Sequence, residues 1–375
     1  MIVTLGLRNL IHDRIRFAVT LIGVIFATVL VTVQLGLYLS SERMIATLID
    51  RTTADLWIVP RETRSLENGT VLPGYERYLA LSTPGVIAAA EMIVGFAEWR
   101  KPSGGKMPVF LVGSNLGKNA TVAWDIVEGS LGAMEMGDAV AVDRRYMGEL
   151  GVHGLGDEAE IAERRARIAA VTQDIRSFTT LPYVFGSLAT ARHYLGIEPH
   201  HSTYVLVHVA AGNDFAQVRA ALLPKLRQAE VLTAAEFRAR TIAHWLFATG
   251  AGAALVAGAA LGILVGGVIV GQSLYASASE HLAEFATLRA LGSTARYIHC
   301  VILVQAVSCA IIGYGLGTIV SLIIVWISSD SAMPVIMTPL LALVIFALSL
   351  LMCVAGGTSA ILKVLRIDPT SVFNR

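Results

Sequence analysis

Ala278–Arg296 reads ASEHLAEFATLRALGSTAR, a charged, helix-forming stretch set between two long uncharged runs. Phe247–Tyr275 before it and Tyr297–Ser329 after it hold no Asp, Glu, Lys or Arg. Each run exceeds the roughly 20 apolar residues a helix needs to cross a hydrocarbon core. The stretch is therefore expected to be a short loop outside the bilayer, tied to two membrane helices. A helix in that position can take a push from a partner and pass it to both spans.

Working outward, Phe17–Leu39 is uncharged over 23 residues and, as a helix, reaches about 35 Å, enough to cross. It is too long for a signal-peptide core, and no small-residue cleavage site follows, so it reads as an uncleaved anchor. Before it, residues 1–16 place Leu7, Leu10, Ile11 and Ile15 on one helical face with Arg8 and Arg14 elsewhere, the pattern of an amphipathic interfacial lead-in helix. The second span is predicted at 246–275, the third at 298–328 and the fourth at 338–362, with a tail at 363–375. Span two carries Gly258, Gly262 and Gly266, and span three carries Gly313 and Gly317. Glycines four apart let another helix approach closely. The partner can lie in a second subunit or in the same one, and the spacing leaves both open. Composition agrees with a membrane class. The chain of 375 residues is 55% hydrophobic and 15% charged, with a mean hydropathy of +0.64, whereas soluble domains average about 25% charged.

Residues 40–244 differ in character, holding 21 of the 29 Lys and Arg. Short β-rich runs occur at Asp55–Val59, Pro108–Val112, Ala139–Val142 and Tyr204–Val209, bounded by Pro, Gly or Asn-Asp. Helices are predicted over Arg144–Leu150 and Phe215–Gln228, and a hairpin or strand edge over Asp157–Arg167, whose Arg164, Arg165 and Arg167 read as a solvated face. Glu236–Trp245 is predicted as a helix running straight into span two, with His244 and Trp245 in the interfacial belt. The fold class is thus a membrane protein of four transmembrane α-helices, with a large α+β extracytoplasmic domain inserted between helices one and two.

Short segments set the orientation. Arg8, Arg14 and Arg16, then Arg289 and Arg296, then Lys363, Arg366 and Arg375 flank the spans, while the loop between spans three and four has no basic residue. Positive-inside counting puts both termini and the 278–296 stretch in the cytoplasm, and long domains translocate largely regardless of charge.

Catalytic signatures are missing. Gly113–Asn119 has three residues between its glycines instead of the four of a phosphate loop, and Asn119 where a magnesium-holding Ser or Thr belongs. His200, His201 and His208 lack Cys or acidic company, so no metal is expected. Cys300, Cys309 and Cys353 all lie in apolar runs and read as small fillers. The spans carry none of the charges an ion-coupled carrier places at mid-membrane. The net charge of +1 gives no sign of a nucleic-acid partner. What remains is a non-catalytic subunit, bathed in membrane lipid and driven from the cytoplasm by a motor it does not contain.

Glu280-His-Leu-Ala-Glu284-Phe-Ala-Thr-Leu-Arg289-Ala-Leu-Gly292 closely resembles the coupling-helix signature of the FtsX/MacB-type ABC transporter permeases, nearest to the DevC-like subgroup. Leu7–Leu10, Gly137–Asp143, Gly154–Asp157 and the tail Leu365–Phe373 are similar to other parts of that family. The resemblance implies a homodimer with two ABC ATPase subunits that bind the ATP, this chain holding no cofactor. It further implies mechanotransmission through spans one and two to the outer domain, in a bacterial inner membrane. In DevC-like systems a membrane-fusion adaptor protein and an outer-membrane channel complete an export machine. On the stretch itself, Glu280, Glu284, Arg289 and Arg296 supply charge for an ATPase groove. Phe285, Leu288 and Leu291 are spaced as apolar anchors, and Gly292 lets the helix stop. Two other roles stay open within the family: an FtsX-like regulator of an envelope hydrolase, and a lipoprotein-extraction subunit.

Overall fold

In a computed structural model the described residues are 4, 8, 10, 12–116, 123–280, 287 and 295–365, with backbone alone at 295, 296, 298 and 359–365. They divide into two compact units, Met1–Ser40 with Ala251–Arg375, and Ser41–Gly250. Among the described residues, four helices are long and apolar enough to span a membrane: Arg14–Asp50, Ala251–Glu280, His299–Ser328 and Pro339–Thr358. The mixed α/β domain lies between the first and the second.

The spans form a bundle whose core holds Val24 and Ala27 of span one, Val270 and Leu274 of span two, Ala306 and Ala310 of span three, and Met352 and Cys353 of span four. Its outer surface is as apolar as its core. Leu264, Ile319, Trp326 and Leu340 are all more than half exposed, as suits side chains whose solvent is hydrocarbon. Buried hydroxyls link helices inside, Thr28 Oγ1 lying 3.3 Å from Ser349 Oγ. The first helix does not end with its apolar run at Leu39. It continues to Asp50 because Met44, Ile45, Leu48 and Ile49 recur at helical spacing on one buried face.

Among the described residues the domain is built on one ten-stranded sheet. Its strands are β1 (Leu56–Pro60), β2 (Val86–Arg100), β3 (Lys106–Ser114), β4 (Ile126–Gly129), β5 (Ala139–Asp143), β6 (Glu158–Ile161), β7 (Arg164–Thr172), β8 (Tyr183–Ser187), β9 (Tyr204–Val209) and β10 (Ala229–Thr233). The order is β10-β1-β9-β2-β3-β8-β5-β7-β4, with β6 joining β2 to β7. β3–β8 and β5–β7 are parallel and the other pairs antiparallel. Both faces are covered, which is why β1, β5 and β9 read as unbroken apolar runs and are buried at every position. Alternate residues sort between the faces. Trp57, Val59, Phe110, Phe185 and Tyr204 share one core with Leu48, Ile49 and Phe237. Leu56, Ile58, Val205 and Val207 meet Val218 and Leu222 on the opposite face. Further along that face, Val140, Val142 and Val184 meet Leu188, Ala191 and Tyr194.

Three sequence expectations change. The helix from Phe215 stops at Leu222, because Pro224 has no N–H to donate back along the helix and cannot continue its hydrogen-bond ladder. Arg144–Leu150 is a 3₁₀ turn followed by a single α turn that Gly151 ends in a left-handed conformation, φ 72°. The helix expected to run into span two is instead Ala234–Ala243, opened by a capping box between Thr233 and Glu236. It passes into a π-type turn over His244–Ala248. Gly250 then takes φ 80° before span two begins at Ala251, a conformation glycine adopts at no steric cost.

Candidate functional site

Span one is the hub against which the predicted glycine positions pack. A Cβ on Gly266 would lie 2.6 Å from Ala27 Cβ and 2.5 Å from Met352 Sδ. One on Gly262 would lie 3.1 Å from Leu30, and one on Gly258 would lie 2.7 Å from Gln34. On span three, a Cβ on Gly313 would reach Val24 at 2.5 Å and one on Gly317 would reach Thr28 at 2.8 Å. All five glycines therefore bring spans two and three against span one of the same chain. A second glycine contact escaped the sequence reading. A Cβ on Gly356 of span four would lie 3.0 Å from the Gly271 nitrogen and 3.1 Å from the Gly267 oxygen. Spans two and four thus cross backbone to backbone, and Gly267 and Gly271, four apart on span two, were its signal.

The predicted coupling residues begin where span two ends. Glu280 is the last described residue of the helix Ala251–Glu280, and its carboxylate is paired with the Arg16 guanidinium of span one. Asp13 takes part as well: its Oδ1 accepts the Arg16 backbone N–H at 3.3 Å, and its Oδ2 lies 3.3 Å from the guanidinium. Asp13 thereby caps span one and supplies negative charge at a helix N-terminus. One turn on, Thr20 and Ser273 hydroxyls are bonded to each other, and Thr20 Oγ1 also donates to the Arg16 carbonyl at 2.8 Å. Glu280 retains 60% side-chain exposure, so this pair supplies at most about 1 kcal/mol. Its effect is positional, fixing the start of span one beside the end of span two. Glu284, Phe285, Leu288, Arg289, Leu291 and Gly292 lie outside the described residues, while Thr287 is helical and exposed.

In the domain, the candidates the sequence set aside do not converge. His208 Nε2 lies 3.1 Å from Thr53 Oγ1, whereas His201 Nδ1 is 3.9 Å from Glu198. Arg165 pairs with Glu158, and Arg164 bonds the His193 carbonyl. Gly113 is a packing residue of β3, where a Cβ would lie 2.2 Å from Ala191 Cβ. Gly117–Asn119 lie outside the described residues.

The buried ionisable groups serve structure. Asp143 accepts from Thr172 Oγ1, Ile175 N and Arg145 N at 3.1, 2.8 and 3.0 Å. Burial still holds its pKa above the usual carboxylate value. Burial likewise pushes the Tyr194 phenol up to about 12. Glu91, 8% exposed, sits between Arg192 at 3.0 Å and Arg77 at 3.7 Å. These groups tie helices and loops to the strands of the sheet.

Sequence comparison adds to this geometry. Residues 256–369 match the FtsX-like permease C-terminal domain, and residues 17–225, more than half of the chain, match the MacB-like periplasmic core domain. The chain belongs to the FtsX/MacB-type ABC permeases. No curated protein matches its sequence. Its solved structural neighbours include the periplasmic region of MacB from Actinobacillus actinomycetemcomitans, with 10% identity and a TM-score of 0.37, covering 49% of this chain and 90% of that one. They also include the extracellular domain of the noncanonic ABC-type transporter YknZ from Gram-positive bacteria, with 13% identity and a TM-score of 0.35, covering 48% and 99%. For a permease of this family, the cluster Asp13–Arg16–Glu280 lies at the head of the stretch that resembles the coupling helix.

Proposed function

We propose that this permease transmits motion from an ABC ATPase partner, which binds and hydrolyses the ATP, to its own outer domain. Motion enters through Glu280–Gly292 in the cytoplasm, with Glu284 and Arg289 in the ATPase groove and Phe285, Leu288 and Leu291 as apolar anchors. Glu280 belongs to the inner edge of that contact, because its carboxylate reaches back to Arg16. The observation that supports the reading is this pair, which sets the start of span one beside the described end of span two. A displacement of the stretch would move both spans together, and both lead into the outer domain. The working unit is a homodimer in a bacterial inner membrane with both termini cytoplasmic. Substrate is handled outside and exported through an adaptor protein and an outer-membrane channel, as in the DevC-like subgroup.

The test is affinity purification of the full chain from its native membrane, with ATPase activity measured on the eluate. Activity should co-purify with the wild type and be lost with Glu284→Lys and Leu288→Asp, at unchanged membrane insertion. Equal activity in all three eluates overturns the assignment.

A further inference from the structure

Two chain crossings join the membrane unit to the domain, and they are built differently. At the first, the helix Arg14–Asp50 runs unbroken through Ser40 and Ser41. At the second, helix Ala234–Ala243 gives way to the π-type turn His244–Ala248, and the boundary between the units falls after Gly250. In the turn, Thr249 N–H donates to the His244 carbonyl at 3.2 Å, five residues back, and Gly250 N–H donates to the Phe247 carbonyl at 3.2 Å. Turns of this kind interrupt the regular helical ladder and are frequent at functional positions. With Gly250 at φ 80°, the chain can change direction here without breaking further helical bonds.

Trp245, inside the turn, is held twice by the domain. Its indole N–H donates to Glu67 Oε2 at 2.8 Å, and its ring meets Phe178 edge to face at 5.6 Å. A tryptophan at a membrane boundary ordinarily keeps its N–H for water or headgroups. Here it is committed to a carboxylate 178 positions away in sequence. The anchors are themselves fixed. Glu67 lies in the short 3₁₀ turn Leu66–Asn68, whose Leu66 is fully buried. Upstream, Arg238 donates to Asp50 at 3.1 Å and to Glu42 at 3.3 Å, and Phe237 packs on Trp57 with ring centroids 5.1 Å apart. Helix Ala234–Ala243 is thus clamped to the end of helix Arg14–Asp50, and the first place the second crossing can yield is the turn that Trp245 closes.

We propose that Trp245 is the latch of a hinge. Its bond to Glu67 and its contact with Phe178 hold His244–Gly250 against the domain. Release of Trp245 lets span two swing about Gly250, while span one stays continuous with its helix in the domain. The hinge deepens the transmission reading and rests on it for its purpose, by assigning one rigid and one yielding connection to the two moving spans.

Hydrogen exchange on the full chain in lipid nanodiscs tests this without any ATPase present. Trp245→Phe keeps an aromatic ring beside Phe178 and removes the donor, and Glu67→Ala removes the acceptor. A bond to a charged group is worth enough that exchange over 244–250 should rise about tenfold in each variant, with β9 unchanged. Exchange equal to wild type over 244–250 overturns the latch. So does an equal loss of protection in β9, which would make Trp245 a general stabiliser of the domain. If exchange rises as expected but no ATPase co-purifies with the wild type, the hinge stands and the transmission reading falls.

Discussion

Arg16, in the first turn of span one, is ion-paired with Glu280, the last described residue of the span-two helix, 264 positions away in sequence. The pair places the start of one span beside the end of another, at the point where the chain passes into the stretch that resembles a coupling helix. Sequence reading assigned the Glu280 charge to an ATPase surface. In the structure that carboxylate, still more than half exposed, pairs with a neighbouring helix, and our proposal gives the remaining ATPase-facing charge to Glu284 and Arg289.

Charge exchange tests whether the pair is specific. Arg16→Glu and Glu280→Arg each place like charges side by side. Each should lower the thermal stability of the solubilised chain slightly, and the double exchange should restore it, with a coupling energy of about 0.5–1 kcal/mol. Additive losses in the double variant would show that the two side chains do not depend on each other.

The glycine contacts make a sharper prediction for the bundle. Gly266→Leu must displace Ala27, whose Cβ cannot move without its backbone, and should cost about 1–3 kcal/mol or more. A Cβ on Gly315 would meet nothing within 4 Å, so Gly315→Leu should be tolerated. Melting of both variants in detergent decides. Equal losses at the two positions would mean that spans one and two do not pack through Gly266.

Glu76 gives the domain a pH signature. It is fully buried, one carboxylate oxygen finds no partner, and burial raises its pKa above the ordinary 4.5. A carboxyl whose folded pKa is raised contributes stability that is complete below its unfolded pKa and is lost as pH rises through the folded value. The wild type should therefore lose a component of stability as pH rises above about 4.5, and Glu76→Gln should lack that component. Urea or thermal melts at several pH values measure it, and identical pH slopes in the two proteins would contradict the assignment.

Much of the fold was legible because its signals are local. β1 and β9 were read from continuous Val, Ile, Leu and aromatic runs, and both are central strands covered on two faces. β2 was missed although it is the longest strand, since Glu91, Gly95 and Glu98 interrupt its pattern. Those residues make sense only with partners from elsewhere. Glu91 meets Arg192, Glu98 meets Lys106, and a Cβ on Gly95 would press on Leu195 at 2.9 Å. At the candidate site, spacing marked Gly258, Gly262, Gly266, Gly313 and Gly317 as close-approach positions. Spacing alone left open which helix approached.

By itself, the sequence determined that this is a four-span membrane protein with a mixed α/β domain between the first two spans. Twenty or more apolar residues partition into hydrocarbon whatever lies beside them, and a charged interruption stays out of it. The same residues established the permease family. Tertiary structure alone decided that both glycine faces turn to span one, that Glu280 answers to Arg16, and that the Trp245 indole donates to Glu67. Each of these is a contact between residues far apart along the chain, and such contacts are set by how whole elements pack, which no local pattern encodes.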